Sequence, residues 1–408
     1  MKLIKARLRG LDTLTETRWF DLSPRLNLFQ FAKPRQGRNF LRILQTINPT
    51  YAIKTEKPFA GFQEYQEPNG YRRRVNPAKR TVALAVFDVT SGLVEELSAA
   101  SDLLYQTDRI EVGRRLDSSR WINFVEVASS TRWGTISDDM KALLHTARRV
   151  APGMVPSLSG LIDNLQPSDR IKGGIKDQLS HWLKELPPEV QQESKKRIEA
   201  LRTGVHRVDH FEAARAIVRT RMPLFVVLGT PCEPAGEPDS GILAGLDRDS
   251  ASFAHLLQCI AERANVLAQK SASEERAFLR KLNDQLGEVQ PPAMMLRLEK
   301  SAAGAVLLKN DKPVSMASDG PLFALRRMQA KACLAVALSR IVSKTEAILM
   351  FDDPERGLPE ALHQDLVDFV THISKSSQCL YAYSRSNIFR KDAAVRQYTT
   401  DDLAMATG

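Results

Sequence analysis

The chain has 408 residues, 43% of them hydrophobic and 26% charged, which is room for roughly two to three lobes at ~150 residues each around substantial cores. No apolar run approaches the ~20 residues that a bilayer crossing needs, so a helical membrane span is excluded. The net charge of +10 is unevenly spread: residues 1–80 hold 17 Lys+Arg against 6 Asp+Glu, while the other 328 hold 41 against 42.

A basic N-terminal fifth attracts polyanions such as nucleotide phosphates, nucleic acid or acidic lipid, although a charge run can also be a solvated face. The opening MKLIKARLRG lacks the apolar core of a signal peptide. The four cysteines, Cys232, Cys259, Cys333 and Cys379, form no CxxC pair. That argues against a disulfide framework or a zinc site, and for a reducing, cytoplasmic setting with the thiols buried as small hydrophobes.

In chain order, KLIKARLR (2–9) alternates apolar and basic residues as a half-exposed strand does. TRWFDL (17–22) reads as a second strand, and the turn SPRLN leads into a third, Leu26–Phe31. Apolar residues at helical spacing, Phe40, Leu41, Leu44 and Ile47, predict a helix that Asn48-Pro49 stops. Residues 54–80 read as a basic loop with Arg72-Arg73-Arg74 and Lys79-Arg80. TVALAVFDV (81–89) is a buried strand, 91–104 an amphipathic helix that Ser91 can cap, and RIEVGRRL with RWINFVEVAS a hairpin turned at Asp117-Ser118-Ser119. Residues 136–221 read as short helices broken at prolines. No heptad pattern is sustained there.

MPLFVVLG (222–229) is a buried strand, followed by a loop and helices to Leu286. Residues 294–316 read as a β-meander turned at Asn310-Asp311. PLFALRRMQAKACLAVALSRIVS is a long, mostly buried helix. AILMFDD (347–353) and QCLYAYS (378–384) are apolar strands with an amphipathic helix between them, and strand–helix–strand implies a parallel sheet.

Three stretches carry chemistry. LNLFQFAKPRQGRNFLRILQTI has the layout of a phosphate-binding loop: apolar strand, short polar loop, amphipathic helix. In GxxxxGK[ST], backbone N–H groups wrap the phosphates, the lysine neutralises them, and the hydroxyl holds Mg²⁺. The same register here gives Ala32-Lys33-Pro34-Arg35-Gln36-Gly37-Arg38-Asn39. One glycine remains, arginine stands for lysine, and asparagine for the hydroxyl. Arg38 can meet a phosphate, Lys33 and Arg35 add charge, and Asn39 is a poor magnesium ligand. The competing reading is an ordinary basic strand-to-helix turn.

AILMFDDPERGL suits a Walker B element. Asp352 would bind the magnesium shell and Asp353 would orient the attacking water. Aspartate is one methylene shorter than the usual glutamate, which slows hydrolysis by misplacing the water. The plain alternative is a strand-end turn with solvated acids. Third, Ala317-Ser318-Asp319-Gly320-Pro321 precedes the long helix, where Ser318 and Gly320 can form an anion site or simply cap it. His206 and His210 fall at i, i+4 but have no third ligand near them, which speaks against a metal.

The order of these parts resembles the ATPase head of the SMC, RecF and OLD-like branch of the ABC superfamily. MKLIKARLRGLDTLTETRWFDLSPRLNLF is similar to the family's opening, SMASDGPLFALRRMQAKACLAVALSRI to its signature motif and helix, AILMFDDPERGLPEALHQDLVDFV to its Walker B and D-loop, and QCLYAYS to its switch-histidine strand. The resemblance covers roughly residues 1–130 and 222–390. It implies a P-loop NTPase-like α/β fold, with a mixed, mostly parallel sheet, an antiparallel β-lobe and a helical insertion. The expected divisions are 1–135, 136–221 and 222–408.

It also implies a site. ATP and Mg²⁺ would sit on residues 32–40, Phe40 included, beside Asp352 and Asp353, with Tyr383 in the switch-histidine place. Two heads, as a homodimer or a heterodimer with an active homologue, would sandwich nucleotide against the partner's Ser318 and Gly320. Departures are many: Gly10-Leu11-Asp12 replaces the polar-aromatic-basic trio, Ala317 and Pro321 alter the signature, and Gln63 and Gln66 are the only candidates for a Q-loop glutamine. The scaffold reads as kept and the catalytic set as eroded. Three functions follow: a divergent ATP-binding head with weak or absent hydrolysis in DNA maintenance or defence; a non-catalytic interaction module that binds no nucleotide; and a DNA-binding protein using the basic patch Arg72, Arg73, Arg74, Lys79 and Arg80 without ATP.

Overall fold

The computed structural model describes residues 1–9, 16–49, 76–99, 107–125, 127, 131–171, 173–206, 211–229, 253–301, 304–309, 312–313, 320–385, 388–389 and 396–403. These form strands β1 (Lys2–Leu8), β2 (Phe20–Asp21) and β3 (Leu26–Gln30), helix α1 (Pro34–Gln45), strand β4 (Thr81–Asp88), helix α2 (Ser91–Ala99), and strands β5 (Arg109–Arg115) and β6 (Arg120–Phe124). Helices α3 (Trp133–Val150), α4 (Val155–Ile162), α5 (Gly173–Lys184), α6 (Pro188–Glu193), α7 (Lys195–His206) and α8 (Glu212–Arg221) follow. Next come β7 (Phe225–Leu228), α9 (Phe253–Lys270), α10 (Ala272–Val289), β8 (Leu296–Ser301), β9 (Gly304–Lys309), β10 (Lys312–Pro313), α11 (Pro321–Val342), β11 (Ile348–Asp352), α12 (His363–Ile373), β12 (Gln378–Tyr383), β13 (Arg396–Thr399) and α13 (Thr400–Leu403).

The chain divides into two compact units. The larger takes Met1–Asp102, Thr107–Val125 and Arg215–Gly408, so both ends of the chain fold together. Its centre is a parallel sheet ordered β13-β3-β12-β11-β7. Strands β11 and β12 are buried along their whole length, as strands covered on both faces must be, and this explains their unbroken apolar runs. Helices α1 and α11 pack against this sheet, and α9, α10 and α12 pack on α11. α11 is buried over most of its 22 residues, with small alanines at 330, 332, 335 and 337 allowing close approach.

A second sheet, β2-β1-β4-β5-β6, is antiparallel, and the hairpin β8-β9 with β10 makes a third. The parallel and antiparallel pairing foreseen from the sequence is thus present in separate sheets. Two elements differ from expectation. Helix α1 starts at Pro34, well before the first apolar residue of its helical pattern, because proline's fixed φ and missing N–H suit the first helical position. Strand β13 is short and largely exposed, so it left no alternation to read.

In the antiparallel sheet, Gly113 lies opposite Trp121. A Cβ at 113 would come 2.2 Å from the indole, whose Nε1 donates to Thr81 Oγ1 at 3.1 Å and so anchors the ring. Gly113→Ala is therefore expected to cost about 1–3 kcal/mol through forced repacking, read as a lower denaturant midpoint. An unchanged midpoint would show that the ring swings away freely.

The smaller unit holds Glu126–Ala214 with Leu103–Gln106, and its described part is helical. Trp133, Met140, Leu143, Leu179, Trp182, Leu183 and Leu201 form its core, and the Trp182 indole is satisfied by the Met154 carbonyl at 3.1 Å.

Candidate functional site

The carboxyl ends of β3, β12 and β11 lie side by side, the place where parallel α/β sheets hold ligands. Strand β12 ties the other two ends down: Phe31 N–H donates to Tyr383 O at 2.9 Å, and Asp353 N–H to Ala382 O at 2.8 Å. Residues 314 positions apart then meet. Arg38 Nε donates to Asp352 Oδ2 at 2.9 Å, with Asp352 only 5% exposed at its side chain and Arg38 25%. The residue in the lysine register and the residue in the Walker B register are thus joined as an ion pair.

The loop expected at 32–39 takes another form. Only Phe31–Lys33 separates β3 from α1, Gln36 N–H already turns back to Lys33 O at 3.0 Å, and residues 34–39 are helical. Gly37 serves packing here: a Cβ would lie 3.0 Å from the Phe31 ring and 3.3 Å from Ala382 Cβ. Lys33 and Arg35 are exposed at the helix N-terminus, Gln36 is half-buried, and Asn39 is buried. Phe40, expected at the nucleotide, is fully buried instead in an aromatic cluster with Phe20, Phe29 and Phe31, at ring distances of 5.5, 4.9 and 5.3 Å. Its apolar ring gains more from that core than from solvent beside a phosphate.

Past Asp352 the chain turns sharply. Asp353 has φ +47°, a left-handed conformation that aspartate tolerates better than most residues. Its oxygens accept from Ser384, Oδ2 from the hydroxyl at 2.6 Å and Oδ1 from the N–H at 3.3 Å. Tyr383, expected beside the acids, is buried, and its hydroxyl accepts from Gln397 Nε2 at 2.8 Å; burial first of all raises its pKa. The residue that meets Asp353 is the next one along.

Glu355 was not foreseen as a site residue. It is 6% exposed and accepts from the Tyr381 hydroxyl at 2.5 Å. Burial pushes its carboxyl up to about 7, the Tyr381 bond works against that rise, and the Asp353 carboxyl beside it adds to it. Burial and Glu355 together raise the Tyr381 phenol well above its usual range. Two acids and two hydroxyl side chains, Asp353, Glu355, Tyr381 and Ser384, therefore form one polar cluster at the ends of β11 and β12.

Before α11, Gly320 has φ +117° and ψ 153°, a region essentially closed to residues with a Cβ. Lys79 is exposed and Arg80 half-buried in the turn before β4. Arg72, Arg73, Arg74, Ser318, Ala317, Gly10-Leu11-Asp12, Gln63, Gln66, His210 and the Asn310-Asp311 turn lie outside the described residues.

The basic helix start suits a phosphate. Magnesium fits less well: Asp352 is already paired with Arg38, Asn39 is a weak donor, and among the described residues no group of three or more His, Cys, Asp or Glu is placed to hold a metal. No described helix is long and apolar enough to cross a membrane.

The chain's own strand order and crossover helices make it an α/β fold centred on a parallel sheet. No family model matches it, and no curated protein does. Among solved structures it is similar to an SMC head bound to the C-terminal winged-helix domain of ScpA, at 10% identity over 95% of this chain and 91% of that one, TM-score 0.40. It is also similar to the recombination mediator RecF of the RecFOR pathway, at 9% identity over 98% and 97%, TM-score 0.38. The SMC head domain from Thermotoga maritima matches at 10% identity over 94% and 90%, TM-score 0.32. Likenesses this distant carry none of the functional reading, which rests on the side chains just described.

Proposed function

We propose that the chain is a divergent ABC/SMC-like head that binds ATP weakly and hydrolyses it slowly or not at all. The observation that supports this reading is the 2.9 Å pair between Arg38 and Asp352 at the mouth of the parallel sheet. Nucleotide phosphates compete with Asp352 for Arg38, and α1 and the exposed Lys33 and Arg35 add positive potential. Turnover is poor on this reading because Ser384 engages both oxygens of Asp353, which hinders its taking a proton from water. Pairing with a second head, through Gly320 and Ser318, and a role on DNA belong to the same proposal.

The test is calorimetric titration of ATP, with magnesium present and absent, into the purified chain, Arg38→Ala and Arg38→Lys. Saturable binding that Arg38→Ala loses and Arg38→Lys keeps is the expected result. Absence of binding at millimolar ATP, or binding indifferent to Arg38→Ala, sinks it. A second reading, a scaffold that binds no nucleotide and pairs with an active homologue, is favoured by one feature: residues 34–39 are already wound into helix, leaving no loop to wrap a phosphate.

A further inference from the structure

The antiparallel sheet carries two arginines on one face. Arg114 and Arg120 lie opposite each other across β5 and β6. Arg114 is fully buried and donates to the carbonyls of Thr46 and Ser118, each at 2.5 Å. Arg120 is served far less well. Its NH2 reaches Asn48 Oδ1 at 3.3 Å, its NH1 reaches the Met222 thioether at 3.8 Å, and its buried Nε has no partner. A neutral amide oxygen at long range and a sulfur are weak acceptors for a guanidinium with five donors.

Nor, among the described residues, does any acid compensate its charge. The charged group that acts on Arg120 is another arginine, Arg219, exposed in the last turn of α8. Helix α8 runs beside β6, since Arg215 one turn earlier donates to Ile122 O at 3.3 Å. Neighbouring Arg221 shows the ordinary solution: two bonds to Glu96, at 3.0 and 2.7 Å. Among the described residues, Arg120 and Arg219 have no such carboxylate. Burying a cation without a counter-charge is costly, and placing a like charge beside it adds to that cost.

We propose that Arg120 and Arg219 form a binding site for an oxyanion of the phosphate class, between the start of β6 and the C-terminal turn of α8. Two uncompensated guanidinium groups on neighbouring elements suit a dianion better than a carboxylate, because each fork can donate to more than one of its oxygens. Asn48 shapes the site. Its amide donates to Pro223 O at 3.0 Å and to Met222 O at 3.4 Å, which fixes Oδ1 towards Arg120. Burial chiefly, and Arg219 after it, pull the Arg120 guanidinium down to about 10, so it still carries its charge at neutral pH. This site is separate from the Arg38–Asp352 pair and does not depend on the ATP reading.

The test is calorimetry of inorganic phosphate with the full chain at low ionic strength. One saturable event is expected, weakened about 10- to 100-fold by Arg120→Gln, the loss of charged hydrogen bonds. Arg219→Gln, on an exposed side chain that does not endanger folding, also weakens it. Arg38→Ala leaves it intact, which separates it from phosphate held at α1. Phosphate raises the Tm of the wild-type chain and not that of Arg120→Gln. Titrating ATP into Arg38→Ala then distinguishes sources: displacement of phosphate assigns the site to a nucleotide's phosphates, and failure to displace assigns it to the free ion. The proposal is overturned if no saturable phosphate binding occurs, or if neither arginine substitution weakens it. Arg120 is then a structural cation held by Asn48 and Met222.

Discussion

Arg38→Ala and Asp352→Ala are each expected to lower the unfolding free energy by about 3 kcal/mol, and the double variant by clearly less than their sum. Removing one partner of a buried ion pair leaves the other charge uncompensated, which typically costs about 3–5 kcal/mol. The lower end applies because the Arg38 side chain is a quarter exposed and partly screened by water. The coupling energy from the double-mutant cycle in urea should fall at about 1.5–3 kcal/mol. Strict additivity would show that the two side chains do not work as a pair. The cycle also guards the ATP titration, since it reports how much of any lost binding in Arg38→Ala is lost folding.

The second large effect is a pH dependence carried by Glu355. Its folded pKa, about 7, lies above the value of 4.5 for an ordinary glutamate. Proton binding is thus tighter in the folded state. The stability it gives is complete below about 4.5 and is lost as pH rises through about 7. The full span corresponds to about 3 kcal/mol at 1.36 kcal/mol per unit. Glu355→Gln keeps the shape and removes the titration, with its amide oxygen still able to accept from Tyr381 and its NH₂ facing Asp353. Stability curves for the two proteins should coincide near pH 4.5 and separate towards pH 8, where the variant is the more stable. Parallel curves across that window would mean that Glu355 is already ionised in the fold at low pH.

Much of the fold was legible. The unbroken apolar runs of β11 and β12 announced a buried parallel pair, and the β5–β6 turn was readable from Asp117-Ser118-Ser119, where Ser118 takes φ +66° and Asp117 Oδ1 accepts from Ser119 N–H at 2.9 Å. The site was harder. Reading 32–39 as a loop gave the motif register precedence over Pro34, whose preference for the first helical position was the available signal. Phe40 was counted with the loop although the aromatics at 20, 29 and 31 that enclose it come from separate segments. Glu355 went unnoticed because its burial depends on the turn at Asp353 folding it back against Tyr381, 26 residues away. Ser384, which meets Asp353, stands next to Tyr383, the residue on which the motif fell.

The interior position of β3 in its sheet bears on how the chain is made. Its sheet partners are β12 and β13, and Asn27 Nδ2 reaches Cys379 O across 352 positions. On the ribosome, at roughly 5–20 residues per second, β3 emerges about 20–70 s before the strand it pairs with. For that interval an apolar strand has two unsatisfied edges. The N-terminal part of this protein therefore depends on shelter, from the antiparallel sheet already formed or from a chaperone, until β12 and β13 have been made.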